Sequence, residues 1–140
     1  MTAPRPTFAG DVTVAQIRVA RPTDQLEEVV RFYRDGLGLA ELGGFSGHAG
    51  YDGVMLGLPD RACHLEFTRH EHGSPCPAPS ADNLLVLYIP DPADFAAMRV
   101  RMEALGVRPV PPENPYWRER GLTYADPDGW RVVLCRTSGI

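Results

Sequence analysis

The chain of 140 residues has only three cysteines, Cys63, Cys76 and Cys135, and they stand singly. An odd number without CxxC spacing argues against a disulfide framework and against a cysteine-based zinc site. Isolated buried thiols in a reducing cytoplasm are the expectation. No apolar run reaches the length of a membrane-spanning helix. The opening residues, Met1-Thr2-Ala3-Pro4-Arg5-Pro6, lack the charged-then-apolar layout of a secretory signal. There is no basic stripe: arginines are scattered among carboxylates and the formal net charge is -4, which argues against a nucleic-acid partner. Activated-nucleophile arrangements, phosphate loops and dinucleotide fingerprints are also missing. Gly36-Leu37-Gly38 closes a helix-like stretch rather than opening one, so it is no phosphate cradle.

What the chain does have is an ordinary globular composition, 44% apolar and 23% charged, and a pattern that occurs twice. Residues 12–20 alternate as a strand should, and Pro22 ends the run. Thr23 or Asp24 is a candidate helix cap. Leu26, Val29, Val30, Tyr33 and Leu37 then follow at helical spacing, and Gly36 and Gly38 stop the helix. Strand candidates cover residues 39–44, 53–58 and 63–68. After a Pro-rich stretch the order returns. Leu84 to Ile89 is a strand, and Asp91-Pro92 caps a helix striped by Phe95, Met98, Met102 and Leu105. Strands follow at residues 108–110, 122–125 and 131–135, with Asp126-Pro127-Asp128-Gly129 as a hairpin turn. The expected organisation is a loose arm over residues 1–11, a first βαβββ module over 12–68, a linker over 69–82 and a second module over 83–137. A duplicated unit of this size suggests two halves that jointly enclose one site.

The signposts Phe32-Tyr33-Arg34-Asp35, Leu37-Gly38-Leu39, His64-Leu65-Glu66-Phe67 and Asp126-Pro127-Asp128-Gly129, in this order, resemble the vicinal oxygen chelate superfamily. That group includes glyoxalase I, extradiol dioxygenases, fosfomycin-resistance enzymes and bleomycin-binding proteins. The resemblance covers nearly the whole chain and implies an α+β fold in which two βαβββ modules form an eight-stranded open cup. It also implies a homodimer, whose halves the long linker would allow to swap. In the metalloenzymes of the superfamily one ligand stands on the first and last strand of each module. Carried over residue by residue, those positions are Arg18, Glu66, Leu84 and Val133. Only Glu66 is a sound ligand. An arginine keeps its proton and repels a cation, and a shift of register by one residue rescues neither Leu84 nor Val133. No cofactor is therefore expected, and a divalent metal belongs only to the alternative reading.

Strand alternation puts His64, Glu66 and Thr68 on one face, and Gln16 and Arg18 on the cup face of the first strand. A carboxylate in a half-dry cavity needs a partner, so Arg18 is expected to pair with Glu66 in place of a metal. Tyr88 shares the parity of Leu84 and Val86, while Tyr116 and Trp117 lie in a loop that would form a lid. The expected ligand-binding set is Arg18, His64, Glu66, Tyr88, Tyr116 and Trp117; it suits a planar or amphipathic small organic molecule. Trp130 reads as packing, His48 as exposed, and His70 and His72 as unanchored linker residues. The first functional reading is a metal-free small-molecule binder. Its alternative is a glyoxalase- or dioxygenase-type enzyme, a lyase, isomerase or ring-opening catalyst, using Glu66 and His64 with a metal or as acid and base. A partner-binding domain without a cavity is the third.

Overall fold

The computed structural model describes residue 10, residues 12–59 and residues 62–140. Apart from Gly10, the N-terminal arm expected over residues 1–11 lies outside the described residues. Two mixed sheets carry the fold. The first has the order β1-β4-β3-β2, from β1 (Ile17–Pro22), β2 (Ala40–His48), β3 (Tyr51–Gly57) and β4 (Cys63–His70). The second has the order β5-β7-β6, from β5 (Leu84–Tyr88), β6 (Gly121–Ala125) and β7 (Arg131–Cys135). In each sheet the opening strand runs parallel to the closing one, and the remaining neighbours are antiparallel. This is the twice-repeated α+β module that the sequence repeat predicted. Among the described residues no helix is long and apolar enough to cross a membrane.

Several elements depart from the sequence expectation, three of them for a reason visible in the strand pairing. The first strand starts at Ile17 rather than Val12, where its pairing with β4 begins, Ile17 opposite Cys63. The eighth strand, expected at residues 108–110, is a single bridge between Val110 and Thr123. Pro109, Pro111 and Pro112 have no N–H to extend that ladder. Finally β4 continues to His70, beyond the expected end at Thr68, since β3 reaches back to Tyr51 and pairs with it. His70 is thus held on a strand, its ring 4.6 Å from that of Tyr51.

Residues of the helices and of both sheets form one core cluster. α1 (Leu26–Val30) passes directly into a π-helical turn over Arg31–Gly36, with Leu37 N–H bonded to Phe32 C=O. Phe32 and Tyr33, three residues on from the buried Val29 and Val30, are both in the core. The helix is entered without the expected side-chain cap. Gln25 is the cap residue; Thr23 accepts from the Gln25 N–H instead. α2 (Pro92–Ala104) does start as expected, with the Asp91 carboxylate accepting from Ala93 and Asp94. Gly36 lets the two helices touch: a Cβ there would lie 2.9 Å from Met102 Sδ. Arg101 of α2 donates to the carbonyls of Asp35 and Gly36, which the end of the first helix leaves open.

Candidate functional site

Register across the first sheet places Arg18 opposite His64, with Glu66 one pleat further along β4 on the same face. The Arg18 guanidinium spans both: Nε donates to His64 Nε2 at 3.0 Å and Nη1 to Glu66 Oε2 at 3.1 Å. The expected Arg18–Glu66 pair is therefore formed. The Glu66 side chain is 13% exposed and that of Arg18 47%, so the pair lies at the edge of water. His64 is 4% exposed. Arginine Nε is always a donor, so His64 Nε2 must be the acceptor and the imidazole proton sits on Nδ1. That Nδ1 is buried and has no partner among the described residues. One imidazole nitrogen of His64 is therefore taken by Arg18 and the other is buried.

The same face carries an apolar floor. Met55 pairs with Glu66, Gly57 with His64 and Gly53 with Thr68. The ring of Phe45 lies directly over Gly53, and Leu42 over Gly57 at 3.1 Å from an added Cβ position. The helix-facing residues of β4, Leu65 and Phe67, are in the core as expected. Ile17 and Val19 of β1 are not: they are 47% and 55% exposed on a strand at the end of the sheet.

The donor set at the four superfamily positions does not fit a divalent cation. Arg18 brings a fixed positive charge onto Glu66 and occupies His64, and Leu84 has no ligating atom. Val133 is fully buried and has none either. Among the described residues no three His, Cys, Asp or Glu side chains converge on one point.

The remaining sequence candidates lie in the second module, apart from this trio. Tyr88 lines a cavity of about 530 Å³ in the seam between the modules, with Leu39, Leu58 and Met98. A second seam cavity, of about 410 Å³, is lined by Val19, Tyr33, Phe67, Leu84 and Trp130. Neither is lined by Arg18, His64 or Glu66. Two halves around one site were the expectation; these two cavities lie in the seam and are lined by residues other than the polar trio. Tyr116 and Trp117 form a 3₁₀ turn (Pro115–Trp117), their rings edge to face at 4.9 Å, and Arg120 stacks on Tyr116 at 3.7 Å. Neither ring lines the two seam cavities. His48 is exposed, as expected.

The sequence reading missed a buried polar cluster at the module junction. Arg21 donates to Asp126 and Asp128, the two carboxylates of the expected hairpin turn, and its guanidinium lies 5.0 Å from the ring centroids of both Phe67 and Trp130. Thr23 and Gln25 also donate to Asp128, and Tyr33 Oη donates to Asp126 at 2.8 Å. Burial pushes the Asp126 carboxyl above its ordinary range, opposed chiefly by the Arg21 charge. Burial, reinforced by Asp126, pushes the Tyr33 phenol well above its ordinary value. The available signal was Arg21 itself, a charge on the helix-facing parity of β1, which demands a buried partner.

Two family models match this chain, the YycE-like N-terminal domain over residues 17–68 and the YycE-like C-terminal domain over residues 82–136. The uncharacterized protein YycE of Bacillus subtilis is 52% identical over 126 residues, which are 90% of this chain and 91% of that one. The crystal structure of a YycE protein of unknown function from Bacillus subtilis superposes with a TM-score of 0.90 at 50% identity, over 96% of this chain and 98% of the other. The trypanothione-dependent glyoxalase I of Leishmania major gives a TM-score of 0.66 at 17% identity, over 88% and 86%. The fosfomycin resistance protein FosX of Mesorhizobium loti gives 0.65 at 16% identity, over 90% and 92%. These last two likenesses concern the fold, which is that of the vicinal oxygen chelate superfamily.

Proposed function

The chain belongs to the YycE-like family, and on that premise we propose that it binds a small organic molecule on the cup face of its first sheet without a catalytic metal. The observation that carries this reading is the Arg18 guanidinium, bonded at once to His64 and Glu66. A fixed organic cation stands where a metal would need free ligands, so the polar floor has donors and an acceptor but no Lewis acid. Phe45, Met55 and Leu42 on the same face supply apolar contact. Glu66 alone is left as a proton acceptor, which makes the alternative enzyme reading the weaker one.

The second part of the proposal is a homodimer. Among the described residues β1 pairs on one side only, with β4, and exposes Ile17 and Val19. Val12 and Val14, just before it, are exposed too. An edge strand this apolar is a pairing surface unless covered. A second copy lying along it would also wall in the open face that holds Arg18.

Elemental analysis of protein purified without chelators tests the first part, together with thermal unfolding in added zinc, nickel, manganese or iron. The expected outcome is substoichiometric metal and an unchanged midpoint, with stabilisation by organic ligands instead. One bound divalent ion per chain, lost in Glu66→Gln, would favour the enzyme reading.

A further inference from the structure

The seam cavity of about 410 Å³ differs from the polar trio in both place and chemistry. Val19 lies opposite Leu65 and Arg21 opposite Phe67, and all four line it. They alternate with Arg18, His64 and Glu66 along β1 and β4, so this wall belongs to the other face of the first sheet. The second module supplies Leu84 and Trp130. Three rings, those of Tyr33, Phe67 and Trp130, form the aromatic part, and each is held from a second direction. The Tyr33 hydroxyl donates to Asp126, and Trp130 Nε1 donates to the Cys76 carbonyl at 2.8 Å. The Phe67 ring packs 4.8 Å from that of Tyr33 and also carries the Arg21 guanidinium. Walls fixed in this way cannot swing inward to fill the space, and the volume is that of a small-molecule site.

Charge gives the ligand its polar end. Among the described residues the lining holds two arginines, Arg21 and Arg131, and no carboxylate. Arg21 is already neutralised by Asp126 and Asp128. Arg131 donates through Nη1 to the Pro111 carbonyl in an exposed bond, and among the described residues it pairs with no carboxylate. We propose that this cavity binds an aromatic acid, its rings among Tyr33, Phe67 and Trp130 and its carboxylate at Arg131. A cation would meet two guanidinium groups, because Asp126 and Asp128 are taken by Arg21, Thr23, Gln25 and Tyr33. A neutral aromatic gains the apolar contact but forgoes the charge-assisted bond, which is roughly twice as strong as a neutral one. A bare inorganic anion would leave the apolar walls unused. The site is separate from the cup face and does not depend on that face being a binding surface.

Naphthoate and naphthamide, which share two fused rings and differ in charge, test it. Each is titrated into the full chain while the indole N–H signals and the Met55 methyl are followed by NMR. The chain has two tryptophans, and Trp117→Phe identifies the Trp130 signal. Naphthoate is expected to shift that signal to saturation and to bind about tenfold more tightly than naphthamide. Arg131→Gln is expected to bring naphthoate down to the affinity of naphthamide and to leave naphthamide unchanged. Val19→Tyr narrows the cavity from an exposed position and is expected to abolish the shift by either compound. Far-UV spectra establish that both variants fold. Equal affinities in the unaltered chain, or an Arg131→Gln that binds naphthoate as before, would overturn the acid assignment. A Trp130 signal that neither compound moves, or a shift that survives Val19→Tyr, would overturn the cavity as a ligand site. So would a shift of the Met55 methyl in place of Trp130, which puts the compounds on the cup face. A Trp130 signal that responds to protein concentration alone would make the seam a contact between copies instead.

Discussion

A side chain's neighbours decide whether its charge is a cost or a tool, and Arg18 and Arg21 illustrate both cases three residues apart. Arg18, on the cup face, keeps half its side chain in water and holds two polar groups in a fixed arrangement. Arg21, on the core face, lies between Phe67 and Trp130 and neutralises Asp126 and Asp128. Removing it would strand two buried carboxylates, a loss of the kind that costs about 3–5 kcal/mol. Tyr33 gives this cluster a pH signature. Its folded-state pKa lies above the unfolded value of about 10, so its contribution is complete below that pH. As pH rises past about 10 the unfolded chain releases the phenolic proton while the folded chain keeps it, and stability falls by up to about 1.4 kcal/mol per pH unit. Tyr33→Phe is expected to cost about 1–3 kcal/mol at pH 7, for the lost bond to Asp126, and to flatten the alkaline decline. Urea melts of both proteins from pH 8 to 11 check this; parallel slopes would contradict it.

At the scale of elements, much was legible because turns and stripes are local chemistry. Asp91-Pro92 caps α2, and Gly129 adopts a φ of 86° in the Asp126 turn, as their residue types demanded. The π-helical turn was not legible, because nothing in Arg31 to Gly36 forbids an ordinary α-helix. Phe32 and Tyr33 are both buried within this turn, and Gly36 and Arg101 meet at its end. The eighth strand failed for the opposite reason. Its proline content was visible but outweighed by the repeat, and one bridge is all the missing N–H groups permit. Gly121 shows how tightly the remaining strands pack, since a Cβ there would run into the carbonyl oxygen of Leu134 on β7. Backbone cannot give way as a flexible side chain can, so Gly121→Ala should cost more than the roughly 1–3 kcal/mol of ordinary overpacking. Gly43→Ala, which meets only the terminal methyl of Met55, is expected to cost far less. Chemical denaturation of the two variants decides it, and equal midpoints would refute the distinction.

For the molecule as a whole, the exposed β1 is the feature that a single chain leaves unexplained. If two copies associate along it, light scattering at micromolar concentration will give twice the chain mass, and Ile17→Asp with Val19→Asp will give a folded monomer. Both side chains are half-exposed in one chain, so the double variant should retain its far-UV spectrum. A native monomer, or a double variant that remains dimeric, would remove β1 from the interface. The sequence by itself determined the repeat of two modules, the helix stripes, the capping of α2 and the parity of Arg18, His64 and Glu66. These follow from hydrophobic period, turn chemistry and the two-residue alternation of strands, all of which act over a few residues. Even the Arg18–Glu66 pair followed once β1 and β4 were taken as neighbours. Only the tertiary structure decided that Arg18 also takes His64, that Arg21 bridges 105 residues to Asp126, and that two cavities lie in the seam between the modules. Those outcomes depend on how two separately legible modules pack, and packing is set by shape and charge matching between residues that the sequence does not bring together.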